Sequence, residues 1–446
     1  MDRGKPSDLE ERVIAALTWR LVPFLFLLYV VAYLDRINVG FAALEMQKQL
    51  GFNDAVYGLG AGMFFAGYFF FQLPSNLLLE RVGARRWIAG LMVTWGLISS
   101  AMLLVTTARS FYALRFLLGS AEAGFFPGVI LYLKRWFPPG ARARTVARFM
   151  TASPLSGVIG GPISGALLGL HGRSGLAGWQ WLFLMEGIPA MALGATVLFF
   201  LTERPEEASW LPAEGRTWLL ETLARERQSG MQGSLAGRFV AFRSRQIWLL
   251  VLVYFGMSTG VYGINLWLPN LIKSVTGANN LRIGLLSTIP YVAAAIGMVA
   301  VGLHSDRTGE RRWHVAASGF VAALALWVAA VTHSAWPAIV ALSLAEMGVQ
   351  SMMGPFWVMP TALLSSAAAA VGIAIINSVG NLGGFFGPYV IGLVRRYTGE
   401  FAGGLVVVGL TLVVSGCVVL VAGEREREIS RRAGANPLTA ERAEDD

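Results

Sequence analysis

The sequence predicts an all-α membrane protein in which twelve transmembrane helices form two pseudo-symmetric six-helix halves. Three observations carry that prediction. Apolar runs of about 20 residues, each long enough to cross a hydrocarbon core of about 30 Å, recur from residue 21 to residue 423. One long polar stretch, residues 202–245, divides them six and six. A short basic turn occurs twice, once in each half, at an offset of 226 residues. The composition agrees, since of 446 residues 55% are hydrophobic and only 14% charged, whereas a soluble domain carries about 25% charged residues.

The spans are expected near residues 21–44, 56–79, 87–106, 111–133, 146–170, 179–201, 246–272, 281–303, 313–332, 336–359, 369–394 and 401–423. The first run is followed by many others and lacks a small-residue cleavage site, so it reads as a retained span and not a removable leader. The net charge of +9 raises nucleic acid as a partner, but the basic residues follow the membrane instead. Lys134, Arg135, Arg142, Arg144 and Arg148 succeed span 4 with no acid among them, and Arg81, Arg85 and Arg86 lie after span 2. Turns after odd-numbered spans are poorer in Lys and Arg, the pair Arg395 and Arg396 excepted. The positive-inside bias then puts both termini in the cytoplasm and makes the lipid bilayer, not nucleic acid, the partner of this charge. A single cysteine, Cys417, excludes an intrachain disulfide. The histidines His171, His304, His314 and His333 fall at predicted helix ends or loops and offer no metal or haem site. No cofactor is expected.

This organises the chain as an N-terminal six-helix half (1–201), a cytoplasmic linker of amphipathic or solvated helix (202–245), a C-terminal six-helix half (246–423) and a cytoplasmic tail (424–446). The repeated turn supports the division. "NLLLERVGARR" after span 2 and "GLHSDRTGERR" after span 8 align Glu80 with Asp306, Arg81 with Arg307, Gly83 with Gly309, and Arg85 and Arg86 with Arg311 and Arg312. One such turn is an ordinary basic loop; two at equivalent places mark an internal repeat. Gly permits a tight turn, and the acid can pair with an Arg or with a helix N-terminus. Such contacts suit a cytoplasmic gate that breaks when the halves rock.

An ionisable group at membrane depth costs about 2.5–3.5 kcal/mol on insertion scales, so it normally faces a cavity or a partner. Asp35 and Arg36 lie in span 1, Arg115 and Glu122 in span 4, Glu186 in span 6 and Glu346 in span 10. Seven residues apart, Arg115 and Glu122 share a helix face, about 10 Å of rise from each other. Asp35 and Arg36 diverge by about 100°, so one can face the cavity while the other faces a neighbouring helix. Tyr29, Tyr33 and Arg36 form an aromatic and cationic stripe. These charges could make an ion-pair network that only ties spans 1 and 4 together, but buried pairs are weak evidence for stability and intramembrane charges usually function. A guanidinium binds a carboxylate in a bidentate fork, which makes Arg36 and Arg115 candidate anion ligands. A carboxyl beside such an Arg can change protonation as the Arg changes partner, which makes Asp35 and Glu122 candidate proton carriers.

The repeated turn resembles the signature of the major facilitator superfamily, with Asn76 where the N-terminal copy usually has its first Gly. "YLDRINVGFA", "RFLLGSAEAGFFPG", "WQWLFLMEGIPA", "SDRTGERRWHV" and "GIAIINSVGNLGGFFGPYVIG" are similar to its anion:cation symporter branch, which holds bacterial carriers for tartrate, phthalate, hydroxyphenylacetate and sugar acids, and also sialin and the vesicular glutamate carriers. The resemblance implies that Asp35 and Glu122 take protons, that Arg36 binds the anion and that Arg115 couples the two. It also places Tyr68 and Asn377 at the substrate and implies the bacterial inner membrane.

Asn265, Gln350, Asn377 and Asn381 are buried amides that can bind substrate hydroxyls or join helices. Trp267 and Trp357 can stack on substrate, though packing is the commoner use of an aromatic. Glu186 reads as structural, near an outer helix end. Glu346 stands where many relatives carry a small residue, and it can tune selectivity or pair with an unidentified partner. "GVIGGPISGA" in span 5 fits the G-x-x-x-G-P-x-x-G pattern of drug–proton antiporters, but small residues also let helices pack closely. The expected function is proton-coupled uptake of an organic carboxylate (a hydroxy-dicarboxylate, sugar acid or aromatic acid) by a monomer through alternating access. An exporter or antiporter on the same fold is the alternative. A membrane sensor or enzyme lacks support, since no signalling domain, phosphate loop or metal cluster is legible.

Overall fold

The computed structural model describes residues 8–229, 244–363 and 366–422. The C-terminal tail and residues 230–243 of the expected linker lie outside them. The first half holds α1 (Asp8–Leu50), α2 (Asp54–Val82), α3 (Ala84–Ala101), α4 (Ala108–Glu122), α5 (Phe125–Trp136), α6 (Pro139–Met150), α7 (Ala152–Leu168) and α8 (Gly178–Phe200). Helix α9 (Ala213–Ser229) follows, and the second half holds α10 (Arg245–Thr276), α11 (Asn280–Thr308), α12 (Arg312–Val331), α13 (Ala335–Leu363), α14 (Ser366–Gly380), α15 (Gly383–Thr398) and α16 (Ala402–Ala422). Large apolar side chains such as Leu73, Phe199, Ile296 and Val331 point outward. A bilayer covers such a belt, and helices suit it because they satisfy their own backbone hydrogen bonds.

Eleven spans among the described residues are long and apolar enough to cross a membrane. The remaining expected span, 146–170, is instead divided between α6 and α7 at Thr151. Pro154 explains the break, because it has no N–H to offer the Met150 carbonyl four residues back. The same rule divides span 4 into α4 and α5, where Pro127 leaves the Ala123 carbonyl without its helical donor. Span 11 is interrupted between α14 and α15 at Asn381 and Leu382. Helix α9 is laid against the first half, with Leu219 and Leu223 buried and Glu226 paired to Arg142 at 2.8 Å.

The internal repeat extends beyond the turn. Helices α2 and α11 are both 29 residues long. Each is capped by an asparagine whose side chain accepts from the backbone three residues on, Asn53 from Val56 and Asn279 from Arg282. Each ends on a positive-φ glycine, Gly83 at 90° and Gly309 at 68°, a conformation that a side chain would strain.

The halves meet most closely at the end that carries the α1–α2 and α10–α11 loops. There Tyr57 donates to the Leu266 carbonyl at 2.6 Å, Lys273 to the Leu44 carbonyl at 3.2 Å and Asn280 to Glu45 at 2.7 Å, while Arg395 pairs with Asp54 at 3.0 Å. The glycine stripe of span 5 forms part of this seam: Gly157 faces Tyr291, Gly161 faces Gly284 and Gly165 faces Asn280. At the opposite end, the ion pairs Arg135–Glu203, Arg142–Glu226 and Arg311–Asp306 stay on one side of the seam. A Cβ on Gly161 would lie 2.5 Å from the Gly284 carbonyl oxygen. Gly161→Leu is therefore expected to cost about 1–3 kcal/mol by overpacking. A lower Tm than wild type checks this, with Gly90→Leu, which meets open space, as the unchanged control.

Candidate functional site

At mid-membrane depth α1 delivers two charges in two directions. Arg36 leans toward the seam, where Nη2 donates to Glu122 Oε2 at 2.8 Å and Nη1 donates to the Tyr262 hydroxyl at 3.2 Å. One side chain thus joins α1 to α4 in its own half and to α10 in the other. Asp35 turns away from the seam and is fully buried, accepting from Ser99 of α3 and from Asn38 at 3.1 Å. Glu122 is the last residue of α4, at the break enforced by Pro127, and is 1% exposed.

Arg115 is fully buried, and its Nη2 reaches only the Ala61 carbonyl, at 3.5 Å. Both guanidiniums stand against the ring of Phe64, Arg36 at 5.2 Å and Arg115 at 5.0 Å from its centre, a cation–π arrangement. Arg36 also lies 5.6 Å from the Tyr68 ring. Among the described residues, Arg36 Nε, Arg115 Nε and Arg115 Nη1 have no hydrogen-bond acceptor, and neither Asp35 Oδ2 nor Glu122 Oε1 has a donor. Leaving a buried donor unpaired costs about 1–3 kcal/mol, more when it is charged. The cluster therefore holds open valences for an anion.

The other sequence candidates divide into two groups. Tyr68 and Asn377 meet beside Arg36, and Asn381 bonds to Asn377 at 3.1 Å next to the α14–α15 break. Tyr33 instead turns toward Ser153. Asn265 and Gln350 converge on Glu346, donating to its Oε1 at 3.2 and 3.0 Å, so Glu346 has two amide partners within its own half. Trp357 packs edge-on against Tyr254, with ring centres 4.9 Å apart. Glu186 lies eight residues into α8, about 12 Å from its start. That corrects its expected place near an outer helix end: it is buried in the bundle beside Ser164, which donates to its Oε1 at 3.2 Å.

The repeated turn also differs from expectation in its partners. Glu80 is exposed, and the acid at the N-terminus of α3 is Glu203, which accepts from the Ala84 and Arg85 amides at 3.0 and 3.1 Å and pairs with Arg135. In the second copy Glu310 accepts from the Arg312 and Trp313 amides, while Asp306 pairs with Arg311 at 2.6 Å. Arg81, Gly83, Arg85 and Arg86 line a cleft of about 580 Å³ together with Glu203. Arg307 is exposed, and Arg312 donates to the Leu420 carbonyl at 3.0 Å.

Sequence reading missed Phe64, Ser99 and, most consequentially, Tyr262. A signal for Tyr262 exists, because it lies 226 residues after Arg36, the offset of the repeated turn. Arg36 and Tyr262, which join the halves at this site, thus stand at equivalent places of the internal repeat. Tyr262→Phe removes one hydrogen bond to a cation and is expected to weaken anion binding by roughly 1.5 kcal/mol, about tenfold, without loss of folding. A binding titration beside a Tm measurement checks both halves of that expectation.

Two helical halves closed at one end around a buried cluster of guanidiniums and carboxyls describe a membrane transporter. The chain belongs to the major facilitator superfamily, whose model matches residues 25–388. It is 52% identical over 418 residues to a protein of Agrobacterium vitis named "Putative tartrate transporter", covering 93% of this chain and 95% of that one. It is 42% identical over 406 residues to the "Quinolone resistance transporter" of Acinetobacter baumannii (91% and 94% covered). It is 37% identical over 401 residues to the "Inner membrane transport protein RhmT" of Escherichia coli (90% and 92% covered). Its fold is similar, at TM-score 0.75 and 18% identity, to the inward-facing, unoccupied structure of a bacterial homolog of the human lysosomal transporter Spinster, with 94% of this chain and 98% of that one covered.

Proposed function

We propose that this transporter takes up an organic carboxylate together with protons across the bacterial inner membrane. The observation that carries the reading is the pair of guanidiniums against Phe64, whose N–H groups are partly unpaired while a carboxylate, Glu122, already occupies one of them. An incoming carboxylate competes for the place that Glu122 holds on Arg36. Once displaced, Glu122 lies buried without its cation and is discharged by a proton. Arg115 is the cation near Asp35, whose Oδ1 accepts, among the described residues, from Ser99 and Asn38 and not from a guanidinium. Substrate and proton together thus replace the Arg36–Glu122 pair, and the halves close around a site with little net charge.

Tyr68 and Asn377 beside Arg36 supply a phenol and an amide for substrate hydroxyls. With the relatives of Agrobacterium vitis, this favours a hydroxy-dicarboxylate of the tartrate kind among the organic acids. The halves, residues 1–201 and 246–423, rock about this site, with the basic turns at 80–86 and 306–312 as the cytoplasmic gate. On the positive-inside bias the closed end is the outer one, so the conformation is inward-facing. The quinolone-resistance relative favours a second reading, proton-driven export of an anionic or zwitterionic drug.

A thermal-shift screen of carboxylic acids identifies the ligand, because binding to the folded state raises apparent stability. Uptake by proteoliposomes under an imposed pH gradient then separates the readings. Accumulation of the anion on the side toward which protons flow supports symport, and movement against the proton flow supports the exporter. Asp35→Asn is expected to bind the anion with less dependence on pH between 5 and 8, since one titrating group linked to binding is removed. An unchanged pH slope returns Asp35 to a structural role.

A further inference from the structure

Behind Asp35, away from the seam, a chain of polar side chains runs through the first half. Ser164 of α7 donates to Glu186 Oε1, Asn38 of α1 faces both Glu186 and Asp35, and Asn38 Nδ2 donates to Asp35 Oδ1. Ser99 of α3 closes the chain on Asp35. Besides Asp35 Oδ2 at its end, two atoms in it have no partner among the described residues, Glu186 Oε2 and Asn38 Oδ1. Both are acceptors when Glu186 is ionised, and two buried acceptors left unpaired are costly.

We propose that Glu186 is a resident proton site, in which Oε2 carries a proton and donates it in a hydrogen bond to Asn38 Oδ1. One proton then satisfies both orphaned atoms. It also turns the row into a chain of consistent sense, from Ser164 to Glu186 to Asn38 to an ionised Asp35. Charge balance supports the same assignment. The first half holds three carboxyls at membrane depth, Asp35, Glu122 and Glu186, but two guanidiniums, Arg36 and Arg115. The guanidiniums lie with Asp35 and Glu122. Glu186 is faced by Ser164 from α7 and by Asn38 and Asp35 from α1, and α3 places Ser100 beside Gly187. Its nearest charge among the described residues is thus a like one.

The consequence rests on the proposed role of Asp35 and Glu122 in transport. With Glu186 neutral, the empty cluster is balanced, and each proton taken by Asp35 or Glu122 makes room for one carboxylate charge of the substrate. Glu186 is then a positioning residue that holds its proton while the other two exchange theirs.

The test uses purified protein in lipid at pH 7, without substrate or gradient, so its result is independent of whether the transport reading holds. The infrared difference between wild type and Glu186→Gln is expected to contain the carbonyl band of a protonated carboxylic acid. Carboxylate bands in that difference would overturn the proposal. Ser164→Ala gives a second reading on a variant that keeps the carboxyl. Loss of the hydroxyl bond to Oε1 is expected to shift the carboxylic-acid band, and a band at its wild-type position counts against Glu186 as its source.

Discussion

Arg36→Lys is expected to weaken binding of the organic anion about a hundredfold even though the positive charge survives. Arg36 presents one nitrogen to Glu122, a second to Tyr262 and a third, Nε, that is unpaired. A lysine ammonium is a point charge at the end of a flexible stem and cannot reach α4, α10 and a substrate carboxylate from one plane. Hydrogen bonds involving a charged group are worth about 1.5–3 kcal/mol each, so losing one or two amounts to roughly 3 kcal/mol, which is the hundredfold. Titration of the ligand found by thermal shift measures it. Equal affinities in the variant and wild type would remove Arg36 from the anion site.

Glu122→Gln is expected to abolish pH-driven accumulation while leaving exchange of substrate for substrate near the wild-type rate. The amide has the shape of the protonated acid and cannot release a proton, so the loaded carrier can shuttle but the proton gradient no longer biases it. The fork of Arg36 also loses its internal anion, so the substrate faces less competition and its affinity is expected to rise, not fall. Counterflow and pH-driven uptake measured on the same proteoliposomes separate these effects. Accumulation that persists in Glu122→Gln would assign the coupling proton to another group.

Much of the site was legible because charge inside an apolar run is conspicuous by itself. Asp35, Arg36, Arg115 and Glu122 need no neighbour to be noticed, and their helical spacing already separates Asp35 from Arg36 by direction. Partners were less legible. Glu186 was read by its distance from the end of an expected span, whereas its meaning lies in Asn38 and Ser164 on two other helices. The acid at the N-terminus of α3 was sought in the turn at Glu80, but Glu203, 119 residues after Ala84, occupies that place. Thr151 shows a different failure. Pro154 and Pro127 were in plain view, yet a count of apolar residues treats a span as one rod and overlooks a missing N–H.

The sequence by itself determined that this chain crosses a membrane many times, that it repeats after 226 residues, and which charges lie at depth. The spans and the charges at depth follow from the transfer of one segment between water and hydrocarbon, a balance every span strikes alone, and the repeat follows from aligning the chain with itself. The tertiary structure decided which faces meet: Arg36 with Glu122 and Tyr262, Gly161 with Gly284, Glu346 with Asn265 and Gln350. Lipid is as apolar as the outside of each helix, so no hydrophobic term selects a helix's rotation. Close packing of small residues and the pairing of buried polar groups select it, and both depend on several spans at once.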